Sequence, residues 1–146
     1  MRVSTRGDYA CRALLSLTLH ADESGPTSVR DIAERTALPQ PYLEQILLAL
    51  KGAGLVRSKR GVGGGYVLAR PPEEITLADI LAAVDGPLTQ LLGAHDHCEG
   101  HCVLQEVWVG VSEETRQVLE RHTLADLVRR TQIGHPVVVD SSGTRS

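Results

Sequence analysis

Apolar residues at helical spacing define the first predicted element of the chain. In the segment 9–20 they recur three and four residues apart, with polar residues between them, which predicts an amphipathic helix. The segment 21–27 contains Gly25, Pro26 and several polar side chains, and is typical of a loop. The positions on the apolar face of this helix are Ala10, Ala13, Leu14 and Leu17.

A second helix is predicted by a start signal. Ser28 has a side chain suited to an N-cap, and the acidic Asp31 lies three residues after it, as in a capping arrangement. We therefore expect a helix over 29–37, with Ile32 and Ala33 turned inward and the charged residues outward.

A third helix follows after a short connector. Prolines within the segment 38–41 favour the connector, because the residue before a proline avoids helical backbone. The helix is expected from about 41 to 51, with Pro41 in its first turn and Gly52 at its end. Its apolar stripe consists of Leu43, Ile46, Leu47 and Leu50.

A β-hairpin is predicted next. Residues 55–56 begin one short strand, residues 66–68 form a second, and the glycine-rich segment 61–65 turns the chain between them. Arg57, Lys59 and Arg60 make the tip of this hairpin basic.

The second half of the chain is predicted to be helical around one loop. Thr76 caps a fourth helix over 77–86, and a long helix is expected over about 103–122, followed by a last short helix near 124–128. Between the fourth and the long helix, residues 88–102 are expected to form a loop rich in His and Cys.

The long helix carries an apolar seam. Its members are spaced four and three residues apart in turn, which averages about 3.5, the period of a coiled coil. This pattern indicates pairing with a second copy of the chain. The seam consists of Leu104, Trp108, Val111, Thr115, Val118 and His122.

The pattern as a whole predicts a mainly α protein with a small β-hairpin wing: a winged helix-turn-helix followed by a long C-terminal dimerisation helix. We expect residues 1–72 to form the winged helix-turn-helix unit, residues 73–131 to carry the sensor loop and the dimerisation helices, and residues 132–146 to form a loose tail.

The composition of the chain argues against a membrane protein or a secreted protein. The 146 residues include no apolar run near the length of about 20 that a membrane helix needs, and the polar N-terminus contains no signal-peptide core. We therefore expect no membrane association and a cytoplasmic protein.

The charges are distributed unevenly along the chain. Residues 1–70 carry ten Lys and Arg against six Asp and Glu, whereas residues 71–146 carry five Lys and Arg against twelve Asp and Glu. This asymmetry indicates that the first half contacts a polyanion.

A helix-turn-helix with a basic wing is typical of double-stranded DNA binding, since the second helix of the motif enters the major groove and the wing contacts phosphates or the minor groove. The alternative is a winged helix that contacts proteins alone. The residues predicted to contact DNA are Ser28, Gln40, Pro41, Tyr42, Glu44, Gln45, Lys51, Arg57, Ser58, Lys59, Arg60, Gly61, Gly63, Gly64 and Tyr66.

The glycine run 61–65 also suggests nucleotide binding, but its details contradict that function. The segment lacks the Gly-Lys-Ser/Thr of a P-loop, and Tyr66 occupies the place of the third glycine of a dinucleotide motif. In addition, phosphate-binding loops precede a helix, whereas this run lies between two predicted strands.

The segment from Ser28 to Leu88, containing YLEQ and RGVGGGYVLAR, resembles the IscR/NsrR-type regulators (the Rrf-two family). The opening MRVSTRGDYACRALLSL and the long helix with its Trp are similar as well, so the resemblance covers about residues 1–130. It implies a dimeric winged-helix repressor or activator. Many members sense iron–sulfur status, nitric oxide or redox state through a cluster beside the long helix, and others hold no cluster.

A second group of residues could bind a metal. The sequence HDHCEGHC at 95–102 contains thiols and imidazoles, the ligands of zinc and iron–sulfur centres. The resemblance places cluster ligands here, although members with a cluster usually carry three cysteines and this segment has two. It also implies that Asp8 could reach the cluster from the other subunit. The candidate ligands are Cys98, Cys102, His101, His95 and Asp8.

Several alternatives stay open for this segment. An iron–sulfur cluster is favoured by the resemblance, zinc is the alternative cofactor, and a reversible thiol switch between Cys98 and Cys102 or no ligand at all are the others. Cys11, among the apolar residues of the first helix, is interpreted as a small buried side chain. The rival to a regulator is a small metal- or thiol-dependent redox enzyme, for which the sequence shows no nucleophile–base set.

Overall fold

The computed structural model of the chain describes residues 3–21, 25–88 and 101–133, without the side chains of His101 and Cys102. These residues form six helices and one hairpin, which confirms the predicted fold class. The elements are α1 (Thr5–Leu19), α2 (Val29–Thr36), α3 (Gln40–Gly52), β1 (Val56–Lys59), β2 (Gly65–Leu68), a 3-10 turn (Pro72–Glu74), α4 (Leu77–Asp85), α5 (His101–Glu120) and α6 (Leu124–Ile133).

Helix α1 begins at Thr5, earlier than the apolar pattern predicts. The reason is a cap: the Ser4 hydroxyl accepts a hydrogen bond from the backbone N–H of Gly7 at 2.8 Å. The cap predicted for α2 is confirmed, since the Ser28 hydroxyl accepts the Asp31 N–H at 3.1 Å.

Helices α1 to α3 share one core. The stripe predicted for α3 is confirmed, with Leu43, Ile46, Leu47 and Leu50 all buried, and it packs with the apolar face of α1 and with Ile32 of α2. Helix α3 extends one residue beyond the predicted limits at each end, and Pro41 lies in its first turn as expected.

The hairpin is antiparallel and is attached to the start of α2. Val56 pairs with Leu68 and Lys59 with Gly65 along β1 and β2, so Leu55, predicted to begin the first strand, precedes it as a buried residue. Thr27 extends this small sheet: its N–H donates to the Tyr66 carbonyl at 3.0 Å and its carbonyl accepts the Tyr66 N–H at 2.8 Å.

Helices α4 and α6 begin side by side. The N–H of Leu77 donates to the carbonyl of His122, and the N–H of Leu124 donates to the carbonyl of Ile75, both at 2.9 Å. Each helix also has a reciprocal Thr–Asp cap at its start, from Thr76 with Asp79 and from Thr123 with Asp126.

The limits predicted for the long helix were wrong by two residues at each end. Helix α5 starts at His101, so the main chain of His101 and Cys102 is helical rather than part of the predicted loop. It ends at Glu120, so the helical seam does not extend to His122, whose carbonyl accepts a hydrogen bond from the N–H of Leu77. The rest of the predicted loop from residue 89, and residues 134–146 of the predicted tail, lie outside the described residues.

Candidate nucleic-acid interface and sensor region

The outer face of α3 carries the side chains predicted to contact bases. Opposite the buried stripe, Gln40, Glu44 and Gln45 are exposed, as are Pro41 in the first turn and Lys51 in the last. The Gln40 amide donates a hydrogen bond to the Glu44 carboxylate at 3.5 Å, which places these two side chains one above the other on the helix surface. This face thus combines amide donors and acceptors with one carboxylate.

Tyr42 ties the start of α3 to α1. Its ring meets the ring of Tyr9 edge to face, with centroids 5.6 Å apart, while the residue itself is exposed. The Arg12 guanidinium lies 5.9 Å from the centroid of the Tyr9 ring, and it forms an ion pair of 2.9 Å with Asp8. A predicted DNA contact and a predicted cluster ligand therefore belong to one chain of side-chain contacts.

The wing presents its cations to solvent. Arg57, Lys59 and Arg60 are exposed, as is Ser58 between them, and within the described residues no ion pair neutralises the three charges. Exposed cations of this kind attract phosphates, because their charges are not already compensated. Helix α3 contacts β1, so the wing and the outer face of α3 belong to neighbouring elements.

Glycines permit the tight turn of the wing. Gly61 and Gly63 have φ angles of 98° and 76°, which side-chain-bearing residues rarely adopt, and the Gly64 N–H donates to the Gly61 carbonyl at 2.9 Å. Both Gly61 and Gly63 are exposed, whereas Gly64 and Tyr66 are half-buried. The exposed end of the wing is therefore a tight glycine turn on which Val62 is the one residue with a side chain.

Ser28 differs from the other predicted DNA contacts. It is half-buried, and its hydroxyl oxygen accepts a hydrogen bond from the Asp31 N–H, so this oxygen caps the N-terminus of α2. Its neighbour Thr27 pairs with Tyr66 of the wing. The structure thus places Ser28 where α2 and the wing meet.

The predicted metal ligands are placed in part. Cys98 and His95 lie outside the described residues, and His101 and Cys102 begin α5. Asp8 is half exposed in its ion pair with Arg12. Among the side chains that the structure describes, no three His, Cys, Asp or Glu come together as a metal site.

The remaining cysteine, Cys11, lies on α1. It is half-buried and packs against the core, which agrees with its interpretation as a small apolar side chain. Burial, with a smaller contribution from the negative charge of Asp8, raises the pKa of its thiol to about 11. At neutral pH the free side chain is therefore mostly the protonated thiol.

Helix α5 exposes an apolar face. Of the predicted seam, Leu104, Trp108, Val111 and Val118 are all exposed, and Thr115 is half-buried with its hydroxyl donating to the Val111 carbonyl. Their exposure in a single chain leaves them available to a partner.

Another face of α5 points toward α4. Ser112 on this face is buried, and a cavity of about 560 Å³ lies between the two helices, with Leu81, Val109 and Leu119 among its apolar residues and Arg116 among its charged ones. Helix α4 also packs on α1 and α3. The helix that follows the His- and Cys-rich segment is thus connected through α4 to α3.

The sequence interpretation missed three positions near this interface. Thr27 and Arg12 are recognisable through spatial contacts alone, which carry no local pattern. Leu48 did have a signal: it does not fit the spacing of the buried stripe of α3, and it is 60% exposed.

The Rrf2 profile, described as an iron-dependent transcriptional regulator, matches residues 3–130. The chain belongs to the Rrf2 family. The IscR regulator of Serratia proteamaculans is 37% identical over 91% of this chain and 82% of its own length. The structure of T. potens IscR has a TM-score of 0.74 at 38% identity, covering 93% of each chain. That of CymR, the global cysteine regulator of B. subtilis, has a TM-score of 0.72 at 35% identity, covering 88% of this chain and 97% of CymR.

These relatives match along nearly their whole length and are named transcriptional regulators. This Rrf2 protein is accordingly a DNA-binding transcription regulator and not an enzyme, so the redox-enzyme alternative is set aside. Within the residues described, none of its helices is long and apolar enough to cross a membrane.

Proposed function

We propose that this Rrf2 regulator binds double-stranded DNA as a homodimer, with α3 in the major groove and the wing on the phosphates. The observation that carries the proposal is the exposed charge of Arg57, Lys59 and Arg60, which no ion pair neutralises among the described residues, on a wing whose first strand contacts α3. Cations held beside a recognition helix fix its position on the duplex, and the helix then reads base edges.

The dimer would form through the apolar face of α5. A large exposed apolar side chain such as Trp108 is unfavourable in water, and antiparallel or parallel pairing of two α5 helices removes it from solvent. In this proposal residues 1–72 bind DNA, and residues 73–131 provide pairing and sensing.

Sensing would use an iron–sulfur cluster, and the donor set fits one. Cys98 and Cys102 supply two thiolates, His95 or His101 supplies an imidazole, and the half-exposed carboxylate of Asp8 is accessible to a partner subunit. Cys11 is left out of this set because it packs half-buried against the core. Such a cluster supplies redox and nitric-oxide sensitivity when bound. The protein's contribution is to link the ligands to α5 and, through α4, to the DNA-binding unit.

The test is the metal content and DNA affinity of protein purified without oxygen. We expect coloured protein that contains iron and sulfide, selects a two-fold symmetric site from random duplexes, and changes its affinity for that site when the cluster is removed. Cys98→Ser and Cys102→Ser should each abolish the colour, whereas the matched control Cys11→Ser should retain it.

A second candidate is a regulator with a zinc site or a thiol switch in the same segment. It is favoured by the number of cysteines, since two thiols suffice for a disulfide and a Cys2His2 set suffices for zinc. If the purified protein is colourless and contains stoichiometric zinc, the cofactor is zinc and not an iron–sulfur cluster. Colourless, metal-free protein whose DNA affinity changes on oxidation, unless either cysteine is replaced, would establish the thiol switch.

A further inference from the structure

Leu48 is exposed on a helix whose other large apolar residues are almost all buried. Leu43, Ile46, Leu47 and Leu50 are at most 1% exposed, whereas Leu48 is 60% exposed. Among the described residues outside α5 and away from the ends of the described ranges, Leu48 and Val62 are the most exposed large hydrophobic side chains. Both lie on the surface proposed to meet DNA, Leu48 on α3 and Val62 at the tip of the wing.

Leu48 belongs to the same stripe as the predicted base contacts. Gln40, Glu44 and Leu48 follow each other at intervals of four residues, or about 6 Å along the helix axis. The hydrogen bond between Gln40 and Glu44 shows that these two share a face, and the same spacing places Leu48 next on it. Lys51 continues it in the last turn. Leu48 thus lies between the polar side chains of Gln40 and Glu44 and the cation of Lys51, all of which are predicted to contact DNA. The proposed DNA contact therefore includes the position of Leu48.

The chemistry of the major groove selects a partner for this side chain. Guanine, adenine and cytosine present hydrogen-bonding groups there, which leucine cannot satisfy, and burying them against it would leave them unpaired. Thymine also presents a C5-methyl group, which is apolar. A leucine pressed into the groove is therefore most stable against that methyl.

We propose that Leu48 is a specificity-determining residue that packs on the C5-methyl group of a thymine in each half-site. The proposal rests on the proposed DNA binding by α3. It assigns to one face of the helix two modes of reading, hydrogen bonding by Gln40, Glu44 and Gln45, and apolar contact by Leu48.

The experiment removes the methyl group and nothing else. A duplex that the protein selects from a random pool is remade with deoxyuridine in place of each thymine in turn, and dissociation constants are measured at fixed salt. The wild type should lose about fourfold in affinity per half-site at one thymine, as expected for one buried apolar carbon of about 0.8 kcal/mol. In Leu48→Ala the replacement of that thymine should cost no further affinity. The free-energy effects of the protein substitution and of the base substitution are then not additive, as expected for two groups in contact.

Two variants serve as controls. Leu48→Met retains an apolar side chain and should retain the discrimination, and Val62→Ala removes the other exposed apolar side chain and should leave the uracil effect unchanged. The proposal is overturned if no thymine shows the effect in the wild type, or if Leu48→Ala retains it or weakens thymine and uracil duplexes equally. A chain that selects no duplex at all overturns DNA binding itself, which distinguishes the two failures.

Discussion

Gly65 and Thr27 bring two backbones into close contact at the base of the wing. A Cβ atom added at Gly65 would lie 2.2 Å from the Thr27 carbonyl oxygen, well inside contact distance, and neither backbone is free to move without breaking the Thr27–Tyr66 hydrogen bonds. A side chain is therefore excluded here by the approach of the backbones.

We expect Gly65→Ala to lower the free energy of unfolding by about 1–3 kcal/mol, the usual effect of overpacking, and to weaken DNA binding because the wing shifts. The matched control is Gly52→Ala at the end of α3, where a Cβ meets nothing within 4 Å. It should be neutral or raise stability by up to about 1 kcal/mol. Chemical denaturation of both variants checks this, and equal effects would contradict it.

Asp126 gives a pH-dependent contribution to stability. The backbone N–H and hydroxyl of Thr123, with smaller contributions from Arg129 and Arg130, lower the pKa of its carboxyl below the ordinary value of 3.8. A carboxyl with a lowered pKa in the folded state stabilises the fold above its unfolded pKa, and this stabilisation is lost as the pH falls through the folded pKa.

The free energy of unfolding should thus fall as the pH drops through the ordinary value of 3.8 and below it, and Asp126→Asn should remove part of that slope while the fold is retained. Urea unfolding of the wild type and of Asp126→Asn at several pH values measures the free energy of unfolding of each. An unchanged slope in Asp126→Asn would show that other carboxyl groups produce the acid dependence.

At the scale of elements, predictions from sequence succeed where the determinants are local. The cap of Ser28 on α2, the stripe of α3 and the hairpin depend on neighbours within a few residues, and each is found in the structure. The start of α1 was misplaced because Ser4 caps a turn with few apolar residues, so periodicity gave no signal there.

The recognition helix and the wing should contribute to DNA binding in different ways. Arg60 directly follows β1 as an exposed cation with no ion pair among the described residues. Arg60→Ala should therefore weaken binding to all sequences alike and lower the slope of log affinity against log salt by about one. Titrations of specific and random duplexes at several salt concentrations measure this slope. Loss confined to one sequence would contradict a phosphate contact.

Glu44 should act on selectivity. A carboxylate repels phosphates but accepts a hydrogen bond from cytosine N4, and it is already held on the outer face by Gln40. Glu44→Ala is therefore expected to broaden the set of selected sites more than it lowers the affinity for the best one. Selection from a random pool with wild type and variant compares the two sets, and an equal loss at every site would show that Glu44 does not discriminate.

At the scale of the whole molecule, the contacts that link the parts join residues far apart in sequence. Ile75 and Leu124 enter the same core as the residues of α1 to α3, and Tyr9 meets Tyr42 across the surface. No local pattern encodes such pairs, because each depends on how complete elements pack. The metal ligands were inferred by residue type and resemblance, and their arrangement depends in part on residues outside those described.

Dimerisation and DNA binding should be coupled through α5. Trp108 is the largest exposed apolar side chain on that helix, so Trp108→Ala removes a large part of the area that pairing would bury. Only a dimer can bind both half-sites of a two-fold symmetric duplex at once. The variant should therefore show a higher dimer dissociation constant and, together with it, a lower affinity for the symmetric duplex.

The matched control is Gln117→Ala, about two and a half turns further along α5 and therefore on the side of the helix opposite Trp108. It should leave the dimer intact. Sedimentation over a range of concentrations, with DNA titrations on the same samples, measures both quantities. A Trp108→Ala protein that is monomeric yet binds the symmetric duplex as tightly as the wild type would contradict the coupling. A Gln117→Ala protein that dissociates while Trp108→Ala does not would place the pairing surface on the opposite face of α5.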